Sequence, residues 1–146
     1  MVYISTQSEV KTTTLINYLH KTGSVVCVPW VHGNDIVPVI LKKGNPVKKD
    51  AYGIKVPVTK IKLPDIKKID AVIAPGIGFD RQGNRIGFGK GYFDRFLRKL
   101  PKKTVKAALA FSCQLVKKIP AEIHDIKMDM IATEKGIINC QKRGKI

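Results

Sequence analysis

A continuous apolar run that opens directly into a glycine-rich stretch constrains this chain more than any other feature. Asp70-Ala71-Val72-Ile73-Ala74-Pro75 reads as a strand buried on both faces, the kind found inside a parallel sheet. Six glycines follow between residues 76 and 91, and the pattern then predicts an amphipathic helix from residue 91 to about residue 100, stopped by Pro101. Residues 105–111 form a further buried strand by the same pattern, and residues 128–133 and 136–138 complete the set. Strands alternating with helices predict an α/β fold: a three-layer open sheet, mostly parallel, with flanking helices. In such sheets ligands sit beyond the carboxyl ends of the strands, which puts the loop after Pro75 at the functional rim.

The first half of the chain is less regular. Residues 2–6 favour a strand, and Ser8 is a good N-cap for a helix starting near Glu9 and ended by Gly23. Residues 24–31 and 36–41 are β-branched runs, with the hairpin signal Gly33-Asn34 between them. Residues 42–63 are rich in lysine, glycine and proline and predict a long excursion with only short extended pieces. Neither a linker nor a repeat interrupts the 146 residues, so a single domain over residues 1–146 is expected.

Composition excludes several classes. No window holds 18 consecutive apolar residues and residues 1–6 lack a secretory pattern, so a cytoplasmic protein with no membrane segment is expected. Cys27, Cys113 and Cys140 are odd in number and widely spaced, which suits reduced thiols better than disulfides or a zinc site. His20, His32 and His124 show no metal-ligand spacing. The net charge of +16 attracts polyanions such as nucleotides, polyglutamylated cofactors or nucleic acid. The lysines are scattered in pairs instead of forming one stripe, so nucleic acid is not the expected main partner.

Within the glycine-rich stretch, Gly87, Gly89 and Gly91 let backbone N–H groups converge on an anion, and the loop runs into a helix N-terminus that favours phosphate. Arg85 offers a bidentate fork and Lys90 a point charge, while Asp94, in the first helical turn, can hold magnesium against phosphate oxygens. Neither the P-loop pattern nor the Rossmann glycine spacing is present.

The segment Asp70-Ala71-Val72-Ile73-Ala74-Pro75-Gly76-Ile77-Gly78-Phe79-Asp80, continued by Gly83-Asn84-Arg85-Ile86-Gly87-Phe88-Gly89-Lys90-Gly91-Tyr92-Phe93-Asp94, closely resembles the signature of the 5-formyltetrahydrofolate cyclo-ligase (methenyltetrahydrofolate synthetase) family. Ser5-Thr6-Gln7-Ser8-Glu9, Tyr52-Gly53-Ile54-Lys55-Val56-Pro57, Ile119-Pro120, His124-Asp125 and Met128-Asp129 resemble its flanking features. The resemblance implies an ATP- and Mg2+-dependent ring closure of 5-formyltetrahydrofolate to 5,10-methenyltetrahydrofolate, with ADP and phosphate released. In the family's mechanism ATP phosphorylates the formyl oxygen, folate nitrogen 10 attacks, and phosphate leaves.

Carried over by position, the resemblance implies that Arg85, Ile86, Gly87, Phe88, Gly89, Lys90, Gly91, Tyr92 and Phe93 line ATP, with Arg85, Lys90 and Tyr92 catalytic. Ile4, Glu9, Tyr52, Phe88, Gly89, Lys90, Gly91 and Tyr92 would touch the folate, and Asp94 and Asp125 would hold magnesium. Asp129 competes with Asp125 for that role. Glu9 also reads as a helix-start carboxylate, and Tyr52 as a partly buried loop aromatic. A monomer with a folate substrate, polyglutamylated or not, is expected. Two departures stand out. Family members carry a basic helix before the first strand, which this sequence does not show, leaving Lys142, Arg143 and Lys145 as candidate cations. Trp30 stands where the family has a basic residue. The other readings are a catalytically altered nucleotide-binding paralogue and a basic nucleic-acid-binding protein.

Overall fold

A computed structural model describes residues 1–140, so Lys142, Arg143 and Lys145 lie outside the described residues. The chain divides into two compact units, Met1–Ile69 and Asp70–Ile146. No helix among the described residues is long and apolar enough to cross a membrane.

In the first unit, residues 2–6 contribute an isolated bridge at Val2, whose amide donates to the Cys27 carbonyl at 2.9 Å, instead of the expected strand. Residues 3–12 then fold back on themselves. The Thr12 hydroxyl donates to the Tyr3 carbonyl (2.7 Å) and accepts from the Ser5 amide (3.1 Å), and the Ser5 hydroxyl accepts from the Thr12 amide (3.3 Å). Such local side-chain bonds compete with helix formation. Helix α1 therefore spans Thr13–Lys21, with Thr12 rather than Ser8 at the N-cap position. The expected start near Glu9 is corrected by this loop.

Strands β1 (Cys27–His32) and β2 (Asp35–Ile40) form a hairpin with His32 opposite Asp35, so Gly33-Asn34 is the two-residue connection its sequence signals. Pro29 faces Pro38 across this pair. Their missing N–H groups cost no ladder bond, because position 38 looks outward, where the Pro38 carbonyl accepts from the Leu63 amide. The lysine-rich excursion carries a second small hairpin, β3 (Val47–Lys49) and β4 (Lys55–Pro57). Val2, Val28, Val39 and Val56 are almost wholly buried in this unit.

The second unit contains β5 (Ala71–Ala74), β6 (Gly78–Asp80), β7 (Arg85–Ile86), α2 (Tyr92–Arg98), β8 (Val105–Leu109), β9 (Leu115–Val116), β10 (Met130–Thr133) and β11 (Gly136–Asn139). Its main open sheet has the order β11-β10-β8-β5, parallel at β5–β8 and β8–β10, with β11 antiparallel at the edge. A smaller sheet has the order β7-β6-β9. This is the open, mainly parallel α/β arrangement expected from the alternating pattern. Val72, Ala74, Phe79, Phe96, Leu97, Ala108, Met128 and Ile131 are each at most 2% exposed. Burial of each large side chain contributes about 1.5–3 kcal/mol.

Candidate functional site

The glycine-rich stretch is two structures, not one loop. Its first part is a hairpin in which β6 and β7 pair antiparallel, with Gly78 opposite Ile86 and Phe79 opposite Arg85. Asp80 organises the turn between them. Its Oδ1 accepts from the Gln82 and Asn84 amides, and its Oδ2 accepts from the Asn84 side chain and the Ile119 amide, all at 2.8–3.0 Å. Burial by itself raises the Asp80 carboxyl, but these four bonds outweigh it and hold the group below its ordinary value. Gly83, at φ +87°, sits where an added Cβ would collide with the Met128 carbonyl, and Met128 returns an amide bond to the Gly83 carbonyl at 2.8 Å.

This rigid hairpin delivers Arg85. One guanidinium nitrogen donates to the Pro75 carbonyl at 3.1 Å and the other to Asp94 at 3.3 Å. The Phe93 ring lies 5.7 Å from the guanidinium carbon. An added Cβ on Gly87 would come within 2.8 Å of Arg85 Nη1, so glycine there allows the close approach. Arg85, Gly87, Phe93 and Asp94 are thereby brought into one cluster. Arg85 Nε is buried and has no acceptor among the described residues.

Only residues 87–91 remain an open loop. Phe88, Gly89 and Lys90 are exposed, and space around the Cβ position of Gly89 is empty. Ile86, in β7, is 43% exposed. Gly91 is the N-cap of α2 in the left-handed conformation and brings no side chain to cap the first turn. Arg95 braces the loop, donating to the Lys90 carbonyl at 2.9 Å while its guanidinium lies 5.2 Å from the Tyr92 ring centre. From the short turn just before β9, the Gln114 side-chain amide donates to the Gly76 and Ile77 carbonyls at 3.0 and 3.1 Å, joining two loops.

Asp125 closes a short turn by accepting from the Glu122 amide at 2.8 Å, and Arg98 ties that turn to α2 through the His124 carbonyl at 3.1 Å. Asp94 and Arg98 are four residues apart on α2 and so share a face. That places the Asp125 turn on the Asp94 side of the helix. Asp129 accepts from the Lys106 amide at 2.7 Å beside the main sheet. Among the described residues no group of three or more His, Cys, Asp or Glu side chains could hold a metal alone. Magnesium held chiefly by nucleotide phosphates needs only one or two carboxylates, so the lack of such a group does not decide against that ion.

The remaining residues expected from the sequence lie in the first unit. Ile4 and Glu9 belong to the folded-back loop, where Glu9 Oε2 accepts from the Thr6 amide (2.7 Å) and hydroxyl (3.0 Å). Burial and the nearby Glu9 charge push the Tyr3 phenol above its ordinary value, and its hydroxyl donates to the Val10 carbonyl. Tyr52 is 52% exposed at the turn of the β3–β4 hairpin. Trp30 carries the Lys60 ammonium 5.2 Å over its ring, so the adjoining segment supplies a cation at that place.

Sequence reasoning did not single out Asp80, Arg95, Arg98 or Gln114. The spacing Asp80-x-x-Gly83-Asn84 is a readable turn signal for the first. Arg98 and Gln114 act through backbone carbonyls 26 and 37–38 positions away, which no local pattern reveals, and Arg95 through the Lys90 carbonyl across the loop.

The profile of the 5-formyltetrahydrofolate cyclo-ligase family matches residues 1–134. The chain belongs to that family. The mouse 5-formyltetrahydrofolate cyclo-ligase is 30% identical over 145 residues, covering 91% of this chain and 71% of the mouse protein. The Escherichia coli K12 enzyme of the same name is 30% identical over 141 residues, covering 93% and 78%. The solved structure of Aquifex aeolicus 5,10-methenyltetrahydrofolate synthetase superposes with a TM-score of 0.83 at 30% identity, over 99% of this chain and 73% of the other. A Mycoplasma pneumoniae synthetase, with a TM-score of 0.66 at 22% identity, shares the cyclo-ligase fold.

Proposed function

We propose that this chain closes the ring of 5-formyltetrahydrofolate to give 5,10-methenyltetrahydrofolate, using ATP and magnesium and releasing ADP and phosphate. The observation that carries this reading is the cyclo-ligase family match over residues 1–134. The cluster of Arg85, Gly87, Phe93 and Asp94 beside the open loop 87–91 supports it.

ATP with its magnesium supplies the phosphoryl group that makes the formyl oxygen a leaving group. The chain's own task is to hold two anionic ligands in register and steady the charge passing between them. The exposed backbone of residues 87–91 and the Lys90 ammonium face the phosphates, while Tyr92 and Phe88 flank the transfer. Arg85, held by Asp94 and the Pro75 carbonyl, fixes the positive potential beneath the loop. Asp94 and Asp125 hold the metal. Ile86, Gly87, Gly89, Gly91 and Phe93 complete the nucleotide wall. Ile4, Glu9 and Tyr52 contact the folate. The chain is read as one catalytic domain, working as a monomer in the cytoplasm.

The test is the absorbance of methenyltetrahydrofolate formed from 5-formyltetrahydrofolate, ATP and magnesium. Product that depends on all three is expected. No product at high enzyme concentration would overturn the reading.

A further inference from the structure

Gly89 at φ +89° and Gly91 at φ +66° both sit in the left-handed region, so the loop over residues 87–91 is built from backbone with more freedom than other residues allow. Arg95 restrains it from the first turn of α2. Its Nη1 donates to the Lys90 carbonyl at 2.9 Å and lies 3.1 Å from where a Cβ on Gly91 would stand. The same guanidinium is 5.2 Å from the ring centre of Tyr92, three residues back on the helix. One side chain thus ties the loop to the helix that carries Asp94.

That bond fixes more than a carbonyl. The described peptides are trans, and in a trans unit the carbonyl and the N–H point in opposite directions. With the Lys90 carbonyl turned to the guanidinium, the Gly91 N–H is turned away from it. No backbone acceptor for that N–H stands among the described residues, and Gly91 has no side chain to cap the helix start. A half-turn of the Lys90–Gly91 peptide would put the carbonyl oxygen where the N–H stands, and an anion there would meet a repelling dipole. Such a flip changes φ of Gly91, which glycine tolerates in either sign.

We infer that Arg95 is a positioning residue for ATP: by holding the Lys90 carbonyl it keeps the Gly91 N–H aimed at a phosphate oxygen. The inference rests on the reading above that residues 87–91 receive the nucleotide. Arg95 acts through the backbone and does not itself touch the ligand. Its effect therefore falls on ATP and not on folate, and it follows the order of the Gly91 amide. A residue that merely added positive charge would show neither restriction.

The experiment compares the native chain with Arg95→Met, which removes donor and charge, and with Arg95→Lys, which keeps the charge without the planar fork. NMR relaxation of the ligand-free proteins reads the Gly91 amide, and calorimetry with ATP and magnesium reads the affinity. The native amide is expected to be rigid, with an order parameter of about 0.85, and to fall below about 0.6 in Arg95→Met. ATP should bind that variant about three- to tenfold more weakly, the worth of one hydrogen bond, with the KM for 5-formyltetrahydrofolate unchanged. In Arg95→Lys the order of the amide and the ATP affinity should rise or fall together. A Gly91 amide as rigid in Arg95→Met as in the native chain would overturn the inference. So would an equal rise in the folate KM, or an Arg95→Lys variant that binds ATP like the native chain while its Gly91 amide is loose. If the native chain neither binds ATP nor turns over, the cyclo-ligase reading fails. The relaxation measurement, with inorganic tripolyphosphate as the anion, still decides what Arg95 does to the loop.

Discussion

Arg85 and Asp94 form an ion pair at 3.3 Å in which the arginine side chain is 3% exposed and the aspartate 27%. A guanidinium so deeply placed needs its counter-ion, because an unpaired buried charge costs several kcal/mol. Asp94→Asn should therefore lower stability by about 2–4 kcal/mol, discounted from the fully buried range for the exposure of Asp94. Arg85→Met should cost less, since Asp94 then turns to water. Urea unfolding of both single variants and the double gives the coupling directly. A coupling energy below about 0.5 kcal/mol would show two independent residues instead of a pair.

Lys90 is exposed at the open loop, and so its truncation should separate activity from stability. Lys90→Ala is expected to lower kcat/KM for ATP about 10²-fold, the scale for losing one positioned electrostatic donor. Its stability should change by no more than about 0.5 kcal/mol, as for surface substitutions generally. Steady-state kinetics with ATP varied, alongside a thermal melt, reads both. Undiminished turnover would remove Lys90 from the phosphate site.

Gly87 lies against Arg85, and an added methyl group would press on Nη1 from 2.8 Å. Gly87→Ala should push the guanidinium off the Pro75 carbonyl, disturb its pairing with Asp94, and reduce ATP turnover more than tenfold without breaking the core. The diagnostic is a double variant: once Arg85→Met is present, Gly87→Ala should have little further effect on the rate. An additive loss would place the glycine's role elsewhere.

Asp80 predicts an acid-side dependence of stability. Its folded carboxyl titrates below the usual value, so over that window the unfolded chain binds the proton first. Its contribution is complete above the ordinary carboxylate range and is lost as pH falls through the lowered value. Asp80→Asn replaces an acceptor of four hydrogen bonds with a group that itself donates, and should cost about 3 kcal/mol at neutral pH. The variant should also show a shallower fall in melting temperature below pH 4 than the native protein. Parallel acid melting curves for the two would refute the assignment.

Much of the second unit was legible in its sequence. The strand over residues 71–74 and the helix at residues 92–98 stood where an apolar run and Pro101 placed them, because both signals are local and strong. The hairpin turn at Gly33-Asn34 was equally readable. The helix start was not. Ser8 had the chemistry of an N-cap, but Ser5, Thr6, Glu9 and Thr12 closed a loop first, and residues seven apart deciding that competition leave no periodic trace. The glycine-rich stretch likewise read as one anion-binding loop, although Asp80 and the Ile119 amide, 39 positions away, lock its first half into a hairpin.

The sequence by itself determined the α/β class, the cyclo-ligase signature and the residue types gathered between positions 85 and 94. The class follows from periodicity, and the signature from the resemblance of residues 70–80 and 83–94 to the family's sequence. Tertiary structure alone decided that Arg85 is buried against Asp94 and Phe93, that Arg95 and Arg98 fasten the loop and the Asp125 turn to α2, and that Lys49 stands opposite Lys55 in the β3–β4 hairpin. The physical reason is common to all of them: burial, pairing and like-charge opposition depend on distances through space, which residue order leaves open until the chain has folded.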